Sequence, residues 1–437
     1  MKKLIIVAAL AALTTASYAQ SGTNSPYSMY GLGVLAEQTS GFNRGMDGLA
    51  YGFHERNQIN YLNPASYSAL DSLSFIFDAG ISLHKTNYAE GGHRVNAKEA
   101  TFEYVVGAFR VAPKLGVSFG LIPFANVGYD FSNTNNVNAF PSTSTTNVTY
   151  TNKYSGSGGF RQVYVGAGWE PVKGLAIGFN ASYFWGNYTR SVVNSYSDKY
   201  VNTLSKTYTA NVTSYKLDFG LQYTANLSKS DAVTLGLTYG IGHSLKANPE
   251  CIVTSTNTQV ATKGSKSDTL TVMDGLSIPH TFGAGLMWNH KNQLKLGFDF
   301  QMQKWGKLEA PDYFYQDGEA VYGMRSGLYT DRRKMTFGGD YCPGERSHSF
   351  FKRMHYRAGV SIASPYFKVN GVDGPKELSV SAGVGIPIIN GYNNRSMLNI
   401  SAQWMKRSRD GLVRENSFRI NIGFTFNERW FAKFKVD

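Results

Sequence analysis

The sequence predicts an all-β chain, a 14-stranded antiparallel transmembrane β-barrel with an N-terminal hatch plugging the lumen. Three observations carry this. In the segment 418 to 426, Phe418, Ile420, Ile422, Phe424 and Phe426 alternate with Arg419, Asn421, Gly423 and Thr425, a period of two with one apolar and one polar face. The same alternation recurs along the chain. The first residues read as an export signal.

That signal places Lys2 and Lys3 before the apolar run Leu4 to Leu13, followed by Ser17-Tyr18-Ala19 with small residues at the cleavage positions. Ten apolar residues are too few for a helical anchor, which needs about 20. Residues 1–19 are therefore expected to be a cleaved signal peptide and Gln20 the mature N-terminus. No later stretch is an uninterrupted apolar run of membrane-spanning length, which excludes a helical membrane protein. The mean hydropathy of −0.27 suits a barrel, because half the residues of each strand face a polar lumen. Aromatic content of 14% with 46 glycines fits interfacial girdles and tightly curved strands.

The formal charge is +13, or +11 without Lys2 and Lys3. The basic residues are scattered rather than gathered in a stripe, so nucleic acid is not an expected partner. An exported chain meets outer-membrane lipid and anionic lipopolysaccharide instead.

Residues 20–71 show no clean alternation but are dense in glycine and aromatics, among them Tyr27, Tyr30, Phe42, Tyr51, Phe53, Tyr61 and Tyr67. Fourteen strands enclose more space than side chains can fill, so this segment is the expected hatch. An open diffusion porin would require it to lie outside the lumen. The barrel is then 72–437. Period-two segments fall near 72 to 84, 99 to 111, 115 to 128, 160 to 170, 174 to 192, 208 to 226 and 232 to 245. They continue near 276 to 289, 292 to 304, 332 to 341, 354 to 369, 376 to 389, 396 to 407 and 415 to 427. Connections after even-numbered strands are mostly short. The stretches 129 to 159, 246 to 275 and 305 to 331 read as long loops on the other side, the asymmetry of periplasmic turns and extracellular loops.

Alternation also assigns facing. Leu378, Val380, Ala382, Val384 and Ile386 are expected to face lipid. The inward set holds Glu103, Lys216, Asp218, Lys295, Asp299, Lys334, Asp340, Arg357 and Arg419, which need partners if buried. Cys251 and Cys342 fall at opposite ends of a spanning barrel, too far apart to bridge, so both are expected to be free thiols.

No catalytic motif is recognisable. No histidine pair has the His-Glu-x-x-His spacing, and there is no Gly-x-Ser-x-Gly elbow or Gly-rich loop leading into a helix. The chain is expected not to be an enzyme, with no catalytic residues, no metal and no cofactor.

One proline interrupts a strand pattern. In Gly120-Leu121-Ile122-Pro123-Phe124-Ala125-Asn126, Pro123 cannot donate to the ladder. A gap or bulge is expected there in the third strand.

The hatch carries a resemblance. Gly45-Met46-Asp47-Gly48-Leu49-Ala50 is followed by Asn60-Tyr61-Leu62-Asn63-Pro64-Ala65-Ser66-Tyr67 just before the first strand. This resembles the hatch of the FadL/TodX-type outer-membrane hydrophobic-compound (long-chain fatty acid) transporters, whose Asn-Pro-Ala motif is matched by Asn63, Pro64 and Ala65. The resemblance implies a bacterial outer-membrane barrel that takes up fatty-acid-like hydrophobic small molecules by ligand-triggered hatch movement and releases them laterally into the membrane. Pro123 is then the candidate lateral gate, and Phe42, Tyr51, Phe53 and Tyr61 are candidate ligand contacts. The charged inward face departs from a continuous greasy conduit. The alternative is a non-transporting barrel, a monomer with a docking surface for a protein at its extracellular loops, that serves as membrane partner for secretion or surface anchoring of other proteins.

Overall fold

The computed structural model describes residues 22–137, 148–257, 259, 264–388 and 396–429. The expected signal peptide, residues 1–19, lies outside them. Fourteen strands form the wall: β1 Ser74–Glu90, β2 His93–Ala112, β3 Leu115–Asn136, β4 Thr149–Val172, β5 Leu175–Tyr196, β6 Thr203–Asn226 and β7 Asp231–Gly240. They continue as β8 Thr281–His290, β9 Leu294–Gln303, β10 Arg332–Tyr341, β11 His355–Ala363, β12 Lys376–Ile388, β13 Ser396–Ser408 and β14 Arg414–Arg429. Each pairs antiparallel with the next. β14 closes the barrel on β1, from Ser74 opposite Arg429 to Ala89 opposite Arg414.

The alternation dictates the facing. Val163, Val165, Phe179, Phe219, Leu235, Leu237, Leu286, Phe298, Phe337 and Phe418 point outward and are solvent-accessible in the isolated chain, the lipid-facing band of a barrel. Their neighbours Gln162, Tyr164, Asn180, Gln222, Asp299, Thr336 and Asn421 are buried inside. Short turns close the opposite end. Lys114 (φ 63°) in a two-residue turn, and Lys291 and Asn292 (φ 53° and 54°) in a three-residue turn, take the left-handed conformation that tight hairpins use.

The three stretches read as long loops are partly strand, which corrects that expectation. β3 to β6 are 22 to 24 residues long, whereas about 9–11 tilted residues cross a bilayer. Their excess stands above the membrane as a wall that includes 129–136 and 149–159. Glu250–Thr256 pairs with the top of β6 and with Ser265–Thr271, widening the wall. Ala310–Gln316 and Glu319–Arg325 form a separate hairpin. That hairpin apart, these segments are rich in Ser, Thr and Asn on both faces. They lack the apolar face that marks a membrane strand, yet their backbones complete the same ladders. Cys251 and Cys342 are buried free thiols.

Residues 22–71 form an inner segment that descends through the barrel to the start of β1. It contains a 3-10 turn at Pro26–Met29, a two-residue strand at Val34–Leu35, a helical turn at Gly41–Arg44 and a 3-10 helix at Pro64–Ala69. Most of its side chains are buried, with Leu32, Met46, Leu49 and Ile59 among the largest fully enclosed ones.

Candidate functional site

The inner segment is seated on inward-facing glycines that the register brings into one girdle. Gly116, Gly168, Gly178 and Gly220 are successive cross-strand partners on β3 to β6. Gly236 faces Gly285, Gly297 faces Gly338 and Gly338 faces Gly359, and Gly423 faces Gly80. A Cβ on Gly116 would lie 2.0 Å from the Tyr67 carbonyl oxygen, one on Gly236 1.9 Å from that of Tyr51, and one on Gly359 2.3 Å from the Met46 carbonyl. Side chains at Gly116, Gly236 and Gly359 are excluded because the backbone of the inner segment occupies their space.

Asn63, Pro64 and Ala65 lie at the centre of this contact. Asn63 is fully buried and caps the 3-10 helix. Its Oδ1 accepts from Ala65 N (3.2 Å), and its Nδ2 donates to Tyr51 O (2.9 Å) and to Leu221 O on β6 (3.3 Å). Pro64 occupies the first helical position, where a missing N–H costs nothing. Its carbonyl fits against Gly168 and Gly178. The motif thus contacts β4, β5 and β6.

Five of the nine lumenal charges are tied to the inner segment. Arg44 donates to Glu103 on β2 (2.8 Å), to the carbonyls of Glu37 (2.7 Å) and Thr39 (3.1 Å), and to Asn421 (3.2 Å). Lys295 pairs with Glu55 at 2.5 Å. Asp299 accepts from the amides of Ala50 (2.6 Å) and Tyr51 (2.9 Å). Lys334 and Arg419 approach Glu37 at 3.9 and 3.6 Å. Burial would raise the Glu37 carboxyl, but Lys334, Arg44 and Arg419 outweigh it and hold Glu37 below the usual range. Asp340 and Arg357 pair across β10 and β11 at 2.9 Å, and Lys216 pairs with Asp218. Of the nine charges assigned inward by the alternation, five thus meet the inner segment and four pair with each other within the wall.

Pro123 lies where the wall departs from regularity. β3 pairs with β2 only from Leu115 to Leu121, opposite Ala112 to Val105. Above that, the two strands part. On its other side β3 shifts register against β4 between Pro123 and Ala125. Val34 and Leu35 pair with Asn126 and Ala125, and Gln38 Nε2 donates to the Pro123 carbonyl (3.2 Å). The parting is lined by a polar space of about 50 Å³ that includes Gly22, Thr23, Glu99, Thr101 and Asn126.

The four candidate ligand contacts separate into two groups. Phe42 and Phe53 meet edge to face at 5.2 Å, with the Arg357 guanidinium over Phe42 at 4.1 Å, in a closed cluster with Met46, Leu49 and Met287. Tyr51 borders a chamber of about 170 Å³ whose other walls include Glu37, Arg332, Lys334, Glu377, Arg407 and Arg419. Tyr51 and Tyr61 share a smaller one of about 60 Å³ with Lys216 and Asp218. Both chambers hold charged side chains and are smaller than the 300–1,000 Å³ typical of ligand pockets. A larger cavity of about 470 Å³ lies on the extracellular side, walled by Tyr30, Tyr129, Tyr188, Tyr208, Tyr322, Tyr329 and Arg190 beneath the 310–325 hairpin. Sequence reasoning missed it because its tyrosines come from five separate parts of the chain.

Solved structures share this architecture. The CymD monoaromatic hydrocarbon channel superposes with a TM-score of 0.57 at 15% identity, over 91% of this chain and 98% of that one. The Ralstonia pickettii toluene transporter TbuX gives 0.60 at 13% over 89% and 98%, and a Pseudomonas aeruginosa FadL homologue 0.56 at 11% over 90% and 98%. At such identities the likeness establishes the fold, an outer-membrane barrel of FadL/TodX type. No curated protein is similar enough to be matched. The BamG family model, by contrast, aligns with residues 1–437. A FadL/TodX-type barrel whose whole length fits that model is placed by it, and the chain belongs to the BamG family.

Proposed function

We propose that this protein is a sealed outer-membrane barrel that acts as a membrane-embedded partner for other proteins, in their secretion or surface anchoring, with its extracellular crown as the docking surface. One observation carries this reading. The inner segment lies backbone to backbone on the glycine girdle, and its charges neutralise those of the wall. Its displacement would break the Arg44–Glu103 and Lys295–Glu55 pairs and both amide bonds to Asp299 together. The chambers beside Tyr51 and Tyr61 are small and hold charged side chains, poor surroundings for an apolar molecule. The crown meanwhile exposes apolar side chains above the membrane, with Tyr200 79%, Tyr315 74% and Met273 72% accessible, a feature of protein-binding surfaces.

A second reading has its own support. The parting of β2 from β3 beside Pro123, and the tyrosine-lined cavity above it, suit uptake of a hydrophobic small molecule with hatch movement and lateral release. The similar solved channels are titled for toluene and monoaromatic hydrocarbons.

Gentle purification of the full chain from native outer membranes distinguishes the two. The partner reading expects a stoichiometric protein, lost when residues 310–325 are replaced by a short Gly-Ser turn, with no retained apolar compound and no conductance in planar bilayers. A stoichiometric apolar compound, with uptake that Pro123→Ala slows, would overturn it in favour of transport.

A further inference from the structure

The outer face of β12 to β14, β1 and β2 changes abruptly in character along the barrel axis. Cross-strand register sets outward residues in rows. Ala402, Ile420, Leu83 and Ala100 form one row, and Ile400, Ile422, Ile81 and Phe102 the row below it. Both are wholly apolar. The next row toward the extracellular side is Trp404, Phe418, Lys85 and Lys98, and the one after it Lys406, Asn416, Asn87 and Asn96. Arg414, Ala89 and Arg94 follow, and Lys376 stands beside Ser408.

Six cations thus stand immediately above the lipid-facing band, with asparagines between them and two aromatic rings at their base. None has an ion-pair partner among the described residues. The acidic residues in the upper halves of these strands, Glu90, Glu99, Glu103, Glu377 and Glu415, have the opposite parity to the cation rows and lie on the lumenal side. Some cations elsewhere on the outer face are paired: Lys153 on β4 has Asp130 3.5 Å away, and Lys304 has Asp331 at 3.2 Å.

We propose that this face is a binding site for the phosphorylated headgroup of an outer-leaflet glycolipid of the lipid A class. An unpaired cation row at the edge of an apolar band matches a ligand that carries acyl chains below and phosphate above. Lysine and arginine donors give charge-assisted hydrogen bonds to phosphate oxygens, the asparagines can donate to sugar hydroxyls, and Trp404 and Phe418 lie at the depth of the acyl–sugar boundary. Basic residues at a membrane surface each strengthen binding to anionic lipid. The site flanks the parting of β2 from β3, so a bound glycolipid would cover the outer side of that seam.

The test is native mass spectrometry of the full chain in mild detergent, titrated separately with phosphorylated lipid A, with the same lipid stripped of phosphate, and with inorganic phosphate. Wild type is expected to retain phosphorylated lipid A. Lys85→Ser/Lys98→Ser/Arg414→Ser should bind it more weakly by on the order of a hundredfold, while Lys199→Ser/Lys266→Ser/Lys307→Ser on the crown should bind it as wild type does. Unchanged affinity in the first triple variant, equal loss in the second, or equal binding of the dephosphorylated lipid would overturn the proposal. So would displacement of the lipid by inorganic phosphate at equal concentration, which would mark a free-anion site. Should the triple variant fail to show the heat-modifiable mobility of a folded barrel, the single exposed reversal Lys98→Glu supplies the same comparison.

Discussion

Met46 of the inner segment and Gly359 of β11 meet backbone to backbone, leaving no volume for a side chain between them. Gly359→Leu is therefore expected to unseat the segment locally while the strand ladders persist. Overpacking of this kind costs about 1–3 kcal/mol. Limited proteolysis of the purified barrel measures it: the variant should be cut within residues 22–71 under conditions that leave wild type intact. Equal resistance would mean that the girdle is not what holds the segment.

Arg44 and Glu103 form a fully enclosed pair at 2.8 Å. Arg44→Met removes one charge and strands the other, with an expected loss of about 3–5 kcal/mol. Adding Glu103→Gln should recover much of it, because the stranded carboxylate is the costly part. Thermal unfolding of the two single variants and the double variant closes the cycle. Independent, additive losses would show that the two groups do not depend on each other.

Asn63→Ala deletes three hydrogen bonds of a buried side chain, leaving the Tyr51 and Leu221 carbonyls and the Ala65 amide without that partner. A loss of about 1–3 kcal/mol is expected, with retained strand content by circular dichroism. A variant as stable as wild type would remove the anchoring role assigned to the Asn-Pro-Ala motif.

How much of this was legible in the sequence depended on whether a feature was local. The strand count and facing were, because alternation is written along each strand: Phe418 to Phe426 reads the same in one dimension as in three. The crown strands were not, since 149–159 carries Thr, Asn, Lys, Ser and Gly on both faces and only its pairing with 126–136 identifies it. Asn63-Pro64-Ala65 stood out as a motif, yet Gly168, Gly178 and Gly220, which receive it, lie on three strands and become a site only through register. Likewise Glu103 and Lys295 could be placed inward by parity, but Arg44 and Glu55 could not be named as their partners from a segment without periodicity.

Pro123→Ala restores an N–H to β3 but is not expected to close the seam with β2. Val34 and Leu35 already occupy the β3 edge at Asn126 and Ala125, and the ladder to β2 has ended at Leu121. Amide hydrogen exchange of residues 93 to 104 should match wild type. Marked new protection there would show that the proline alone keeps the strands apart.

The glycine girdle also constrains how the chain can be assembled. The inner segment precedes β1 in sequence yet is enclosed by all fourteen strands, and the clearances at Gly116, Gly236 and Gly359 are too small for it to be threaded into a finished cylinder. The wall must instead be laid down around it, with the seam between Ser74–Glu90 and Arg414–Arg429 joined last. Until that late, long-range pairing forms, the glycine-lined inner surface and the unpaired edges of β1 and β14 are both open, so during biogenesis the N-terminal residues serve as the mandrel on which the barrel is rolled.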